Sequence, residues 1–240
     1  EFGKTKISFG YEDIDNFVNG KAKARKGGSW GFINESEDIL VPFEHEDIDV
    51  LNDNCYKVNK GHKWGCINEK KEIIIPYLYD SIEVINNEML LVSKGYHFET
   101  QIYSDYEQIM TKNYRYQILF GCIDYNGNIL IPIEFEELHF KNINYIRAVK
   151  NNKWGVINFL GVELVSFKYD FIGEIENSIY IIGEKYNEND KVRNGYRLRY
   201  GCIDVEEKII VPIEYQEIGK FNKNGIAKAK KNEKYGLIDK

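Results

Sequence analysis

Cysteine, histidine and carboxylate are the side chains able to do covalent, metal or acid–base chemistry, and in this sequence they are thinly spread. The cysteines Cys55, Cys66, Cys122 and Cys202 show no C-x-x-C pair and no Cys/His ligand spacing, so no metal site is expected. The histidines His45, His62, His97 and His139 lie far apart, and none has a Ser or Cys nucleophile at a recognisable motif spacing. No glycine-rich phosphate loop occurs, and no cofactor is expected. Paired acids such as Glu136-Glu137 would suit glycoside hydrolysis only if they were unique to one place in the chain. Asn34-Glu35-Ser36 is a glycosylation sequon, expected to be no more than a turn. The aromatic and arginine residues are different, because they cluster.

That clustering shows only against the pattern it breaks. An aromatic–Gly pair recurs at Trp30-Gly31, Trp64-Gly65, Phe120-Gly121, Trp154-Gly155, Tyr200-Gly201 and Tyr235-Gly236. Three residues after each aromatic stands Ile33, Ile67, Ile123, Ile157, Ile203 or Ile238, and then Asn or Asp. Twelve residues after the aromatic comes Pro42, Pro76, Pro132, Ser166 or Pro212, and three further on His45, Tyr79, Phe135, Tyr169 or Tyr215. Ser8, Tyr11 and Ile14 fit the same frame. The aromatics are 34, 56, 34, 46 and 35 residues apart, which is a 34-residue unit with two insertions. Three of the cysteines fall in the slot directly after the pair, where other units have Phe32, Val156 and Leu237. Cys66, Cys122 and Cys202 are therefore expected as free, buried thiols, with Cys55 alone in its strand. Unpaired cysteines point to a reducing, cytoplasmic compartment.

The sequence Lys63-Trp64-Gly65-Cys66-Ile67-Asn68, followed by Ile75-Pro76 and Tyr79-Asp80, resembles the WG β-repeat family, also called KWG repeats, and the resemblance covers the chain outside the insertions. It implies an all-β repeat architecture in a mostly bacterial family with no common catalytic activity.

Residues 144–172 show how one unit should fold. Tyr145–Lys150 is a strand, Asn151-Asn152 a tight turn and Trp154–Asn158 the return strand. Leu160-Gly161 turns again into Val162–Val165, and Tyr169–Ile172 is a fourth strand or a bent continuation of the third. Such a unit cannot bury a face alone, so units must stack. The aromatic should help fill the space between units, its glycine should allow a close backbone approach or a bulge, and the proline should lie at a strand start or sheet edge. A basic position recurs at Lys23, Lys57, Arg147 and Lys228, and an acidic one at Glu12, Glu46, Asp80, Glu136 and Asp170. These read as solvated strand faces and cross-strand charge pairs, with a functional charged ring as the alternative.

The whole chain, 1–240, reads as one repeat domain of six units. From Tyr235 to the C-terminus and from the N-terminus to Trp30 makes one further unit, so the N-terminal strand Gly3–Ser8 could complete the last one. A closed, propeller-like ring is expected; an open β-solenoid, or an excerpt from a longer array, would fit the same arithmetic.

Both insertions, about 96–119 and 184–199, fall in the hairpin just before the aromatic–Gly strand. The first carries Tyr96, His97, Phe98, Tyr103, Tyr106, Tyr114, Arg115 and Tyr116; the second carries Tyr186, Arg193, Tyr196, Arg197 and Arg199. Four of the six arginines lie in these two stretches. Tyr and Arg favour binding hot spots, although long hairpins also need them for packing. The alternation Tyr196-Arg197-Leu198-Arg199-Tyr200 would place both arginines on one strand face, as an anion grip or a solvated edge.

Composition narrows the classes. The net charge of −6 lacks the basic field of a general nucleic-acid binder, and no apolar run approaches a membrane span. The expectation is a non-enzymatic module binding a protein or peptide partner. A small-ligand or glycan receptor is the alternative, and an enzyme using Asp105 or Glu107 is a third class.

Overall fold

The computed structural model describes residues 6–52, 55–104, 109–142, 144–176, 178–186, 191–192 and 195–240; of 98–104, 109–114, 142, 191, 192, 195 and 196 it describes the backbone. Tight turns set the hairpins. Asn151 and Asn152 both have positive φ, 53° and 59°, the conformation a two-residue turn needs to match strand twist. The Asn or Asp after the first five aromatic–Gly–x–Ile runs closes the next turn. Asn158 Oδ1, for example, accepts from Leu160 N and Val162 N, both at 2.9 Å. Asn34 of the sequon does the same for Ser36 and Asp38.

The chain divides into two compact units, 1–133 and 134–240. In the first, β1 (Asp13–Ile14), β2 (Lys21–Lys26), β3 (Ser29–Asn34) and β4 (Ile39–His45) form sheet 1. Sheet 2 is β5 (Asp47–Asn52), β6 (Cys55–Lys60), β7 (Lys63–Asn68) and β8 (Ile73–Tyr79). Sheet 3 is β9 (Ser81–Val84), β10 (Leu90–Ser104), β11 (Ile109–Ile123) and β12 (Ile129–Phe135). In the second, β13 (Glu137–Asn142), β14 (Tyr145–Lys150), β15 (Lys153–Ile157) and β16 (Glu163–Tyr169) form sheet 4. Sheet 5 joins β17 (Phe171–Ile172) and β18 (Ile179–Lys185) to β21 (Leu198–Asp204) and β22 (Ile209–Tyr215), with β19 (Lys191–Val192) and β20 (Gly195–Tyr196) paired in between. Sheet 6 has three strands, β23 (Glu217–Ile218), β24 (Ile226–Lys231) and β25 (Lys234–Asp239). All pairings are antiparallel meanders, and the chain changes sheet at the Tyr-Asp corner, so Tyr169 ends sheet 4 and Phe171 begins sheet 5.

The proline strand is the last strand of its sheet, where a missing N–H costs no ladder bond. At Ser166, which replaces proline, the N–H and hydroxyl donate to Glu207 of the next sheet's turn at 3.2 and 2.5 Å. Burial pushes the Glu207 carboxyl up, but Lys168 and Ser166 outweigh it and bring it down to about 2. Ser8 bonds Glu37 in the same way.

Apolar clusters fill the space between consecutive sheets within each compact unit: Phe32 and Val41 meet Ile48 and Tyr56, and Val156 and Tyr169 meet Ile172 and Tyr180. In four units the ring three residues after the proline position is buried deeper than the aromatic of the aromatic–Gly pair. His45, Tyr79, Phe135 and Tyr169 are buried, whereas Trp30, Trp64 and Trp154 are half-buried along the cluster edges. The cause lies in the strand partner. Trp64 pairs with Tyr79 across a register shift, and the tyrosine takes the inner position.

The glycine behaves as expected. The register skips between Trp64 and Cys66, and a Cβ on Gly65 would lie 2.6 Å from the Ile75 carbonyl oxygen.

The cysteines need a correction. Cys55 and Cys66 form a disulfide between β6 and β7, with Cα atoms 6.2 Å apart, a normal span for such a bond. Cys66 is therefore not a free thiol, and Cys55 is not alone. Register explains it: Cys55 pairs with Asn68, two residues beyond Cys66 on the facing strand, a diagonal relation that the repeat frame alone does not reveal. This pair also removes two of the cysteines on which the reducing-compartment expectation rested. Cys122 and Cys202 are free and buried, and burial pushes their thiols up to about 12 and about 11.

Candidate functional site

The recurring acid is the hairpin clamp. It follows Tyr11, His45, Tyr79, Phe135 and Tyr169, and its carboxylate accepts from the hairpin between the second and third strands; after Tyr215 the position holds Gln216, whose Oε1 accepts from Glu233 N. Glu46 takes Gly61 N at 2.8 Å and His62 N at 3.2 Å; Glu12 takes Gly28 N, and Glu136 takes Asn152 N. The two units with insertions carry the shorter Asp instead. Asp80 accepts from Gly95 N at 2.5 Å and pairs with Lys63 of the preceding unit. Asp170 accepts from Lys185 N at 2.9 Å and from Lys153 Nζ at 2.8 Å, with Lys185 Nζ at 3.7 Å. Burial raises both carboxyls, but the lysine and backbone donors outweigh it and hold them below the usual Asp value. Asp80 and Asp170 accept at the position that Gly61 holds, where the strands run on into a long hairpin, whereas Glu12 and Glu136 accept one residue later and Glu46 accepts at both positions.

The first hairpin continues β10 and β11 for nine pairs beyond the sheet, from Tyr96↔Gln117 to Ser104↔Ile109. At about 3.3 Å per residue that is a ribbon of roughly 30 Å. The His97 and Tyr116 ring centroids lie 5.1 Å apart with the rings tilted by 50°, and Tyr96, His97, Arg115 and Tyr116 are exposed. Phe98 pairs in register with Arg115, Glu99 with Tyr114 and Tyr103 with Met110. Tyr106, with Asp105 and Glu107, lies outside the described residues.

In the second hairpin, Tyr186 N donates to Arg197 O at 3.0 Å, and the backbone then runs into β19 and β20, where Tyr196 pairs with Lys191. Arg193 lies outside the described residues. The strand breaks at Arg197, yet Arg197 and Arg199 line one cleft of about 320 Å³ with Tyr186, Tyr200, Gln216 and Glu233. The Arg199 guanidinium lies 4.3 Å above the Tyr186 ring and also reaches Glu214 O at 3.5 Å. Glu233 is held by Lys230 at 2.7 Å.

A larger cavity, about 550 Å³, lies between sheets 5 and 6 and was not foreseen. A signal for it exists in the sequence: the recurring basic position is absent from the third and fifth units, where register places Leu91 and Ile181.

The molecule is thus an all-β protein of stacked antiparallel repeats. The WG containing repeat family matches residues 1–30, 30–64, 64–96, 120–154, 154–185 and 200–235, and the chain belongs to this WG β-repeat family. No curated protein sequence matches it. Among solved structures, it is similar to Kluyveromyces lactis Hsv2 at 8% identity and TM-score 0.32, covering 88% of this chain and 66% of that one. It is also similar to the dihydro-heme d1 dehydrogenase NirN at 8% identity and TM-score 0.30, covering 92% of this chain and 52% of that one. The chain spans less than two thirds of either, and likeness at this level carries no functional argument.

Proposed function

We propose that this chain is a non-enzymatic binding module whose two inserted hairpins present a Tyr/Arg-rich surface to a protein or peptide partner. One observation carries the reading: the two hairpins that break the repeat are anchored by the same Asp–Lys–backbone clamp, at Asp80 and Asp170. The carboxylate clamp recurs through the array, but its Asp form occurs at these two hairpins, where the chain departs from its repeat, which suits projecting elements held in place for contact. Exposed rings and guanidinium groups supply contact area and directional donors, and Arg197 with Arg199 suits carboxylate groups on the partner. The cleft beside Tyr186 keeps the small-ligand or glycan reading as the second one. The test is quantitative capture from the native cell with wild type and the Arg197→Ala/Arg199→Ala variant. Loss of the same specific partner, with melting within a few degrees of wild type, supports the proposal; an unchanged partner set overturns it.

A further inference from the structure

The basic repeat position has one structural task. Lys23, Lys57, Arg147 and Lys228 lie 4.5, 4.6, 5.6 and 4.0 Å from the ring centroids of Trp30, Trp64, Trp154 and Tyr235 in their own sheets. Three of the four heads reach on to the first strand of the next sheet. Lys57 Nζ donates to Ile82 O at 3.4 Å, Arg147 Nη1 to Ile172 O at 2.9 Å, and Lys23 Nζ to Asp47 Oδ1 at 2.6 Å. An alkyl stem and a cation thus fill three of the gaps between sheets and satisfy an acceptor on the facing strand.

In sheet 5 that side chain is missing. Ile181 pairs with Cys202 as Lys57 pairs with Cys66, so it holds the cation's position; Ile179 likewise stands where sheet 1 has Lys21. Neither isoleucine side chain has a donor. Ile218, on the first strand of sheet 6, has the register of Ile82 and Ile172, whose carbonyls accept the cation elsewhere. The gap is correspondingly larger. The equivalent space between sheets 1 and 2, lined by Lys21 and Lys23, measures about 330 Å³, against about 550 Å³ here.

The walls define an occupant. Ile179, Ile181, Ile218 and Phe221 make an apolar floor, with the Tyr200 ring beside it. At the mouth, Glu176 holds Lys220 at 2.5 Å and Glu174 holds Lys141, whereas Glu217 accepts the Tyr235 hydroxyl at 3.1 Å. Lys228 also lines the cavity, with its ammonium over the Tyr235 ring. We propose that this cavity binds a protonated amine carried on an apolar body. Its stem replaces the missing lysine stem along Ile181, and its ammonium lies toward Ile218 O, Glu217 and the face of Tyr200. The size is within the roughly 300–1,000 Å³ of ordinary ligand pockets. The chemistry is shared by small free amines and by a lysine side chain of a peptide.

The test is calorimetric titration of the full chain with phenethylamine, cadaverine and a capped peptide carrying one central lysine, against 2-phenylethanol as the uncharged isostere. Saturable binding of at least one amine, at least tenfold tighter than the alcohol, is expected. Which amine binds identifies the source as a free metabolite or a partner's lysine. Ile181→Lys restores the repeat's own cation and should weaken amine binding at least tenfold while leaving the melting temperature unlowered. If that variant fails to fold, Glu217→Gln, at the mouth, should weaken the amine and leave the alcohol unchanged. No saturable amine binding at millimolar concentrations, equal binding of the alcohol, or amine binding unaffected by these substitutions overturns the proposal. The hairpin surface is untouched by either variant, so its own test stands apart.

Discussion

Replacing Gly65 with alanine sets two effects of opposite sign against each other. In an ordinary strand, Gly→Ala stabilises by about 0.5–1 kcal/mol, because glycine loses more backbone freedom on folding. Here the added methyl would stand 2.6 Å from Ile75 O, 3.0 Å from a Tyr77 ring carbon and 3.1 Å from the Pro76 carbonyl carbon. Restoring an ordinary contact near 3.4 Å requires β8 to move by close to an ångström, against the buried Ile75 and Tyr79 that anchor it. Overpacking of this kind costs about 1–3 kcal/mol and here falls on backbone atoms, so the loss wins. Less the backbone gain, the net loss is about 1–2.5 kcal/mol; at about 2–4 °C per kcal/mol for a chain of this size, the melting temperature should drop by about 2–10 °C. Thermal unfolding followed by circular dichroism measures it, with Gly10→Ala as control, since the nearest atom to a Cβ there is Ser8 Oγ at 3.6 Å. A Gly65→Ala variant that melts with wild type, or with the control, would refute the close-approach argument for Gly31, Gly65, Gly121, Gly155 and Gly201 alike.

Three other outcomes are expected. Asp170→Asn should cost about 1–3 kcal/mol, because charge-assisted bonds from Lys153 and the Lys185 amide weaken, and hydrogen exchange at Lys185 should speed up. The native carboxyl lies below the ordinary Asp value, so its contribution is complete above that value and fades as pH falls through the native one; the variant should lose that part of the acid dependence. His45 is buried with both ring nitrogens unbonded, and burial lowers its pKa. Its neutral form is therefore favoured by folding, and stability falls as pH drops below about 6.5, where the unfolded chain takes up the proton. His45→Phe should raise the melting temperature and flatten that limb in melts recorded between neutral and mildly acid pH, and an unchanged slope would contradict the assignment. Thiol titration in denaturant without reductant should find Cys122 and Cys202 alone, with Cys55 and Cys66 appearing after reduction; four thiols at the outset would rule out the disulfide.

Local chemistry made the repeat legible. Asn151-Asn152 can close a two-residue turn wherever it occurs, Asn158 needs only the next few amides, and Gly beside an aromatic already implies a close neighbour. These features act over a few residues, so spacing alone predicts the hairpins, the insertion sites and the edge prolines. What the acids and cations do was decided in three dimensions. The same recurring carboxylate that reads as a solvated charge is a turn clamp, because the corner at Tyr169-Asp170 aims it back at the adjacent hairpin. The same recurring lysine bridges to the next sheet, a distance set by how sheets stack and invisible in the spacing. Cys55 and Cys66 meet through a diagonal register across β6 and β7, and the cavity beside Ile181 lies between two packed sheets. Contacts within a hairpin follow from chain connectivity, whereas contacts between sheets follow from packing, and only the folded molecule sets the packing.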